Sequence, residues 1–357
     1  MKHKLMVLAA ASAVAGPVAA QSSVTMFGVL DLAARSVSNE GLGSVKSLVS
    51  GANATSRIAF RGVEDLGDGL SAGFHLESGV AADTGASVSA TQFFDRRATL
   101  SLASKSVGEL RAGRDFVPTY TNWSRYDPFG YVGVASSSNL ITATPVGPIR
   151  STFGTSPNTT VRSSNSIQYL LPGNLGGLEG GLMVAAGEGG LVTDGAAKVI
   201  SARLGYSAGP FSVSAAMGTS ENSLTTAGKF KDNAIGGSYN AGIVKVSAAW
   251  RQFKYASAKQ TNILVGASVP MGAHEVKFSW NSANLDGNVG ANNIAANDSS
   301  QFGLGYVYSL SKRSVLYASA ARVSNKGVAT HVVPGGAAGI AGGRRSTGFE
   351  AGVRHSF

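Results

Sequence analysis

Cysteine is absent from all 357 residues, which excludes a disulfide-stapled scaffold, a thiolate metal site and a cysteine nucleophile together. Charge is sparse: Asp, Glu, Lys and Arg make up 14% of the chain, too few for a disordered, self-repelling polymer. Beyond the first twenty residues no run approaches the roughly 18 consecutive apolar residues a membrane helix requires, so helical spans are excluded. The formal charge is +10, yet the basic residues come singly or as pairs such as Arg96-Arg97, Lys312-Arg313 and Arg344-Arg345. Without a basic run there is no footprint for nucleic acid. Histidine is equally scarce: His75, His274, His331 and His355 follow the leader, with no i, i+4 ligand spacing, no His-Glu-x-x-His and no phosphate loop ending in Lys-Ser or Lys-Thr. No catalytic residue, metal or cofactor is expected.

What is present begins with a leader. Lys2 and Lys4 precede an apolar stretch from Leu5, and "GPVAA" closes with small residues before Gln21, the layout of a cleaved secretory signal over 1–20. Its removal takes the formal charge from +10 to +8, leaving 21–357 as one domain. That domain repeats stretches of about 8 to 10 residues in which apolar side chains alternate with small or polar ones. "SVTMFGVLDLA" sets Val24, Met26, Leu30 and Leu32 against Thr25, Phe27 and Asp31; "SRIAFRG" sets Ile58 and Phe60 against Arg57 and Arg61. "LSAGFHLE" sets Leu70, Phe74 and Leu76 against Ser71, His75 and Glu77. Within the segments charge keeps to one parity, as Arg97, Arg203, Lys245, Arg251, Glu275 and Lys277 show.

The connections alternate between long and short. Long polar or Gly-rich links (37–55, 78–92, 115–161, 187–196, 219–230, one near 254–258, 281–299 and 324–345) take turns with short ones such as "EDLGDG", "SAGP" and "PMG". Eight long and seven short links join sixteen strands and put both termini on the short-turn side. Because a bilayer offers no hydrogen bonds to backbone, such strands must close on themselves. The expected fold is all-β: a 16-stranded antiparallel transmembrane barrel with long external loops and short periplasmic turns. The ending "GFEAGVRHSF" fits, since a last strand that seals against the first shows Phe349, Val353 and Phe357 to lipid. Tyr206, Tyr239, Trp250, Trp280, Tyr306 and Tyr308 fall on the same outward parity and are expected near strand ends.

Five stretches, "SSVTMFGVLD", "SRIAFRGVEDLGDGLSAGFHLE", "NSIQYLLPGNLGGLEGG", "YSLSKRSVLYA" and "VRHSF", are similar to the general diffusion porins of Gram-negative outer membranes, most closely the trimeric beta-proteobacterial type. The resemblance spans residues 22–357. It implies a homotrimer among outer-membrane lipid and lipopolysaccharide, a third external loop folded into the lumen, and a terminal Phe, here Phe357, read by the assembly machinery. The 115–161 link takes the place of that loop, and Asp115 and Asp127 are its carboxylates, beside Arg125 and Arg150.

Arg57, Arg61, Arg97 and Arg162 share the inward parity, and the family carries a basic ladder on the matching strands. Arg111 also points inward; Arg114 does so only if a bulge intervenes. Fixed positive charge in a narrow, low-dielectric passage concentrates anions and repels cations. The alternative is that these arginines pair with Asp31, Glu77 or Asp95 and merely brace the wall. Asp31, His75, Glu77, Lys245, Arg251 and Lys277 complete the expected lumen lining. The function read from this is passive diffusion of small hydrophilic solutes, anions preferred. A sugar- or organic-anion-selective channel would need a line of inward aromatics, for which Phe27 and Phe93 are the main candidates, and a barrel enzyme or adhesin finds less support.

Overall fold

A computed structural model of the chain describes residues 23–141, 147–155, 158–188 and 197–357; the expected leader and parts of the links at 115–161 and 187–196 lie outside them. The strands are β1 (Ser23–Asn39), β2 (Gly43–Ser50), β3 (Arg57–Gly67), β4 (Leu70–Ala81), β5 (Ala86–Ser87), β6 (Arg97–Ser104) and β7 (Gly108–Phe116). Two short helices, α1 (Pro118–Ser124) and α2 (Pro148–Phe153), follow with a 3-10 turn at Ser137–Leu140 between them. Then come β8 (Arg162–Leu170), β9 (Leu178–Ala185), β10 (Lys198–Ala208), β11 (Phe211–Glu221), β12 (Phe230–Asn240), β13 (Lys245–Tyr255) and β14 (Ala258–Met271). The rest are β15 (His274–Asp286), β16 (Asn288–Val289), β17 (Asn292–Asn293), β18 (Ser299–Ser309), β19 (Ser314–Asn325) and β20 (Arg345–Ser356).

Sixteen of them, all but β2, β5, β16 and β17, form an antiparallel barrel in which each strand pairs with its sequence neighbours. Closure is made by β20 on β1, with Leu32 opposite Val353 and Val29 opposite Ser356. The terminal residue completes the seam: Phe357 N–H donates to Gly28 O (3.1 Å) and Gly28 N–H to Phe357 O (3.0 Å). A Cβ on Gly28 would stand 2.5 Å from the Phe357 ring, so the glycine makes room for it. Outward positions carry exposed apolar side chains such as Val24, Met26, Leu100, Ile167, Leu204 and Phe302. Inward ones mix buried Ser, Thr, Asn and Gln and paired charges with apolar residues such as Phe253 and Leu264 that lie under the inward loop.

Two links differ from expectation. Residues 37–55 are mostly strand: β1 runs to Asn39, turns over Glu40–Leu42, and β2 returns along it as far as Ser50 opposite Leu32. Only 51–56 is irregular. Lys46 and the serines of β2 hide it, because they interrupt the apolar alternation by which the other strands are recognised. The link near 254–258 shrinks to Ala256-Ser257, with Ala256 at φ 49°. Of the outward aromatics, Tyr206, Tyr239, Tyr306 and Tyr308 do lie toward the short-turn end, whereas Trp250 and Trp280 sit mid-strand.

The third long loop folds inward along the barrel wall, over small residues that leave space for it. Cβ atoms on Gly236 and Gly266 would stand 2.3 Å from Tyr126 and 2.4 Å from Pro128, and one on Gly305 would stand 2.7 Å from Phe129. Hydrogen bonds hold the loop there: Ser247 Oγ to Tyr126 O (2.7 Å), Gln260 Nε2 to Leu140 O (2.9 Å), and Gln301 Nε2 to Ala135 O and Ser136 O (3.0 Å each). The last loop, 326–344, also turns inward: Arg35 Nη1 and Asn39 Nδ2 donate to Pro334 O (3.3 Å) and Ala337 O (2.7 Å). Val333 of that loop and Val134 of the third loop share one apolar cluster.

Candidate functional site

With the third loop laid on β11–β18, the inward faces of β3, β4, β6 and β7 are left facing the open lumen. With the end of the 82–96 loop and the ends of β8 and β20, they carry eight guanidinium groups, Arg57, Arg61, Arg96, Arg97, Arg111, Arg114, Arg162 and Arg354, against the five carboxylates Asp65, Glu77, Asp95, Glu109 and Asp115. The expected pore arginines are thus brought together on one wall.

Their partners sort them into three groups. Glu77 is shared by Arg96, Arg57 (3.7 Å) and His75 (3.4 Å). Below it Arg61 lies over the Phe27 ring at 5.2 Å, with His75 edge-on to the same ring, and makes no ion pair among the described residues. Next, Asp115 takes Arg111 (2.8 Å) and Arg97 (3.4 Å), while Arg111 also forks onto Glu109 with two bonds of 2.9 Å. Third, Arg114 donates to Asp95 O (2.6 Å) and Ser164 Oγ (2.9 Å), and Arg162 stacks over Phe116 at 4.4 Å. The β7–β8 register does shift between Gly113 and Asp115, but the extra residue lies on β8, where Asn165 has φ 55°, and β7 stays in step with β6, with Arg114 opposite Ala98. Gly113, opposite the shift, has φ +125°, and a Cβ there would meet Ala98 O at 2.0 Å, so this turn of the β7 backbone depends on a glycine. A guanidinium stacked on a ring keeps its in-plane N–H edges free for a passing anion. The bracing alternative holds in part, through Glu77; the carboxylate of Asp95 instead accepts Gly79 N–H (2.7 Å).

Several expected residues turn out to do other work. Asp31 is inward but fully buried: it accepts the amides of Asn53 (2.7 Å) and Ala54 (2.6 Å) and the Tyr317 hydroxyl, pinning segment 51–56 rather than lining the lumen. Arg251 is also fully buried, paired with Asp232 (2.7 Å) and donating to Thr160 O (2.7 Å), while Thr119 Oγ1 donates to the same aspartate (2.6 Å). It fastens the third loop. Asp115 belongs to β7, not to the loop. Asp127 is in the loop but turned into it, accepting from Ser137 Oγ (2.6 Å), Phe129 N–H (2.9 Å) and Tyr131 N–H (3.1 Å), and burial pushes its carboxyl above the usual range. Phe93 is not on a strand; it lies exposed on the 82–96 loop against Phe94. Lys277 lies 3.5 Å from Glu275, and Lys245 is exposed at the start of β13.

Sequence reasoning missed Arg96, Arg354 and the buried Arg35–Glu350 pair (2.6 Å), whose carboxylate also accepts Val134 N–H (2.9 Å). Parity would have found Arg354, which lies opposite Asp31 across the seam and donates to Asn53 Oδ1 (2.8 Å). Nothing would have found Arg96, which precedes β6 and reaches the lumen from a loop.

Comparison with known proteins agrees with this architecture. A family model described as Gram-negative porin matches residues 7–328. The chain is 34% identical to outer membrane porin protein 32 of Delftia acidovorans and 28% identical to an outer membrane porin protein of Bordetella pertussis, both over the full length of each chain. Its structure superposes on an anion-selective porin from Comamonas acidovorans with a TM-score of 0.77, at 31% identity, over 94% of this chain and all of the other. Salmonella typhi OmpF shares the fold at 14% identity and a TM-score of 0.65, over 94% of this chain and 97% of that one. The chain therefore belongs to the Gram-negative porin family, and its barrel resides in the outer membrane.

Proposed function

We propose that this porin is a general diffusion channel that passes small hydrophilic solutes and favours anions. The observation that carries the reading is the excess of guanidinium groups over carboxylates on the one wall the third loop leaves open, most of them half-buried in low-dielectric surroundings. Such a surface raises the local anion concentration without holding any one ion. The anion-selective porin that superposes on the chain supports it. Replacing Arg57, Arg61, Arg97 and Arg162 by Ser is expected to move the reversal potential in a salt gradient toward cation preference. An unchanged potential in planar bilayers would remove the arginines from the selectivity mechanism.

A sugar-selective channel is less well supported. Phe27 is covered by Arg61 and edged by His75, and Phe116 is sandwiched between Arg162 and Tyr120, so neither ring is free to stack on a solute. An enzymatic role gains nothing from the Ser299–His331 contact (2.8 Å), because the pair is buried and the serine hydroxyl donates to Asn325 (2.7 Å). We further read the barrel as one of three in a homotrimer, in contact with lipopolysaccharide, and inserted by an assembly machinery that engages the last strand ending at Phe357. That residue's pairing with Gly28 supports a terminal role.

A further inference from the structure

The outward face of β12, β13 and β14 changes character in steps toward the external loops. Directly paired across the three strands are Lys231, Lys254 and Lys259 at the loop end. The next outward row is Asn233, Gln252 and Thr261, joined by a Gln252 Nε2 to Thr261 Oγ1 bond of 3.1 Å. Below that row lie Ile235, Trp250 and Ile263. Like charges directly opposite on neighbouring strands repel, and this row holds three. Lys259 is offset by Asp286 (2.6 Å), and nearby Lys229 by Glu221 (3.0 Å), but among the described residues neither Lys231 nor Lys254 has a carboxylate within ion-pair distance. The row is not needed for the pore, since it faces away from the lumen, and β15, β18 and β19 separate it from the closing strand β20.

We infer that this face binds a phosphorylated glycolipid of the outer leaflet, with its phosphates on Lys231, Lys254 and Lys259, its sugars on Asn233, Gln252 and Thr261, and its acyl chains against Ile235, Trp250 and Ile263. The inference rests on the proposed contact with lipopolysaccharide and gives it a place. Spacing selects the ligand. Four residues separate the lysine row from the apolar row, about 13 Å along a strand and about 10 Å of depth for a strand tilted as barrel strands are. A phospholipid phosphate lies only about 5–7 Å outside the hydrocarbon. The extra depth, occupied by amides and a hydroxyl, suits a sugar headgroup.

The test uses the whole porin in detergent, with bisphosphorylated lipid A as the probe and Trp250 fluorescence and native mass spectrometry as readouts. Wild-type protein is expected to bind it. The triple variant Lys231→Ala, Lys254→Ala, Lys259→Ala should bind about a hundredfold more weakly, given what one lysine contributes at an anionic surface, and the corresponding Arg triple should retain binding. Dephosphorylated lipid A should bind neither. Unchanged single-channel conductance shows that the variants are folded. If the Ala triple binds as well as wild type, this site is wrong although lipid contact stands; if wild type binds no lipid A, both fail. Inorganic pyrophosphate competing as well as the lipid would make this a soluble-phosphate site. Loss of the oligomer in the Ala triple would make it an interface between copies, and either result overturns the inference.

Discussion

Arg251 shows how a single charge can be read correctly for side and wrongly for role. Its parity on β13 is inward, but the third loop covers it, so its guanidinium is spent on Asp232 and Thr160 O instead of on solutes. Removing one member of a buried pair strands the other. Asp232→Ala is therefore expected to destabilise the barrel by about 3–5 kcal/mol, measured as a lower urea midpoint for unfolding in lipid, and to loosen the third loop through the lost Thr119 contact. His331 in the last loop gives a second residue-level expectation. Burial holds its imidazole down at about 4, from an ordinary value near 6.5, with Nδ1 against Ser299 Oγ (2.8 Å) and no charged neighbour contributing to the shift. The unfolded loop binds the proton more readily, so stability falls as pH drops from about 6.5 to about 4, by up to about 3 kcal/mol. Hydrogen exchange over 326–344 should accelerate at pH 4 relative to pH 7, and His331→Gln should flatten that dependence.

The third loop is the element that decides which wall is the pore, and its seat is written in residues that look unremarkable one at a time. Gly236, Gly266 and Gly305 face inward on three strands, and each faces a bulky loop side chain. A valine at Gly236 has no space beside Tyr126, so Gly236→Val is expected to push the loop off the wall and lower single-channel conductance, while a valine at outward Gly237 should change it little. Loss of current without loss of folded barrel is the decisive pattern. This seat explains what the sequence could and could not disclose. Period-two alternation reports which side of a strand meets lipid, and by it Arg57, Arg61, Arg97 and Arg111 fall on the inward side, on strands the third loop does not cover. It says nothing about what covers an inward residue. Asp31 and Arg251 depart from expectation for that reason, and Arg96 and the β2 hairpin escape because a loop carries no alternation and the serines and Lys46 of β2 interrupt it.

At the scale of the molecule, a barrel exists only if its first and last strands find each other, since an open edge in hydrocarbon leaves backbone groups unpaired. Here the seam is long, from Asn39 opposite Ser346 down to Val29 opposite Ser356, and it ends on the reciprocal Gly28–Phe357 pair. Phe357 thus closes the ladder with its backbone while its ring lies over Gly28 on the outer face. Two perturbations separate these contributions. Deleting Phe357 removes both backbone bonds and the ring, and is expected to lower the yield of assembled, heat-modifiable porin in the membrane severalfold. Gly28→Val keeps the terminus intact but denies the ring its seat, so it tests packing alone. If the deletion assembles poorly and Gly28→Val assembles normally yet melts at a lower temperature, the terminus acts as a signal during insertion and the ring's seat acts on stability afterward. If both assemble as wild type, sealing depends on the rest of the β1–β20 register, and neither end of the pair is needed.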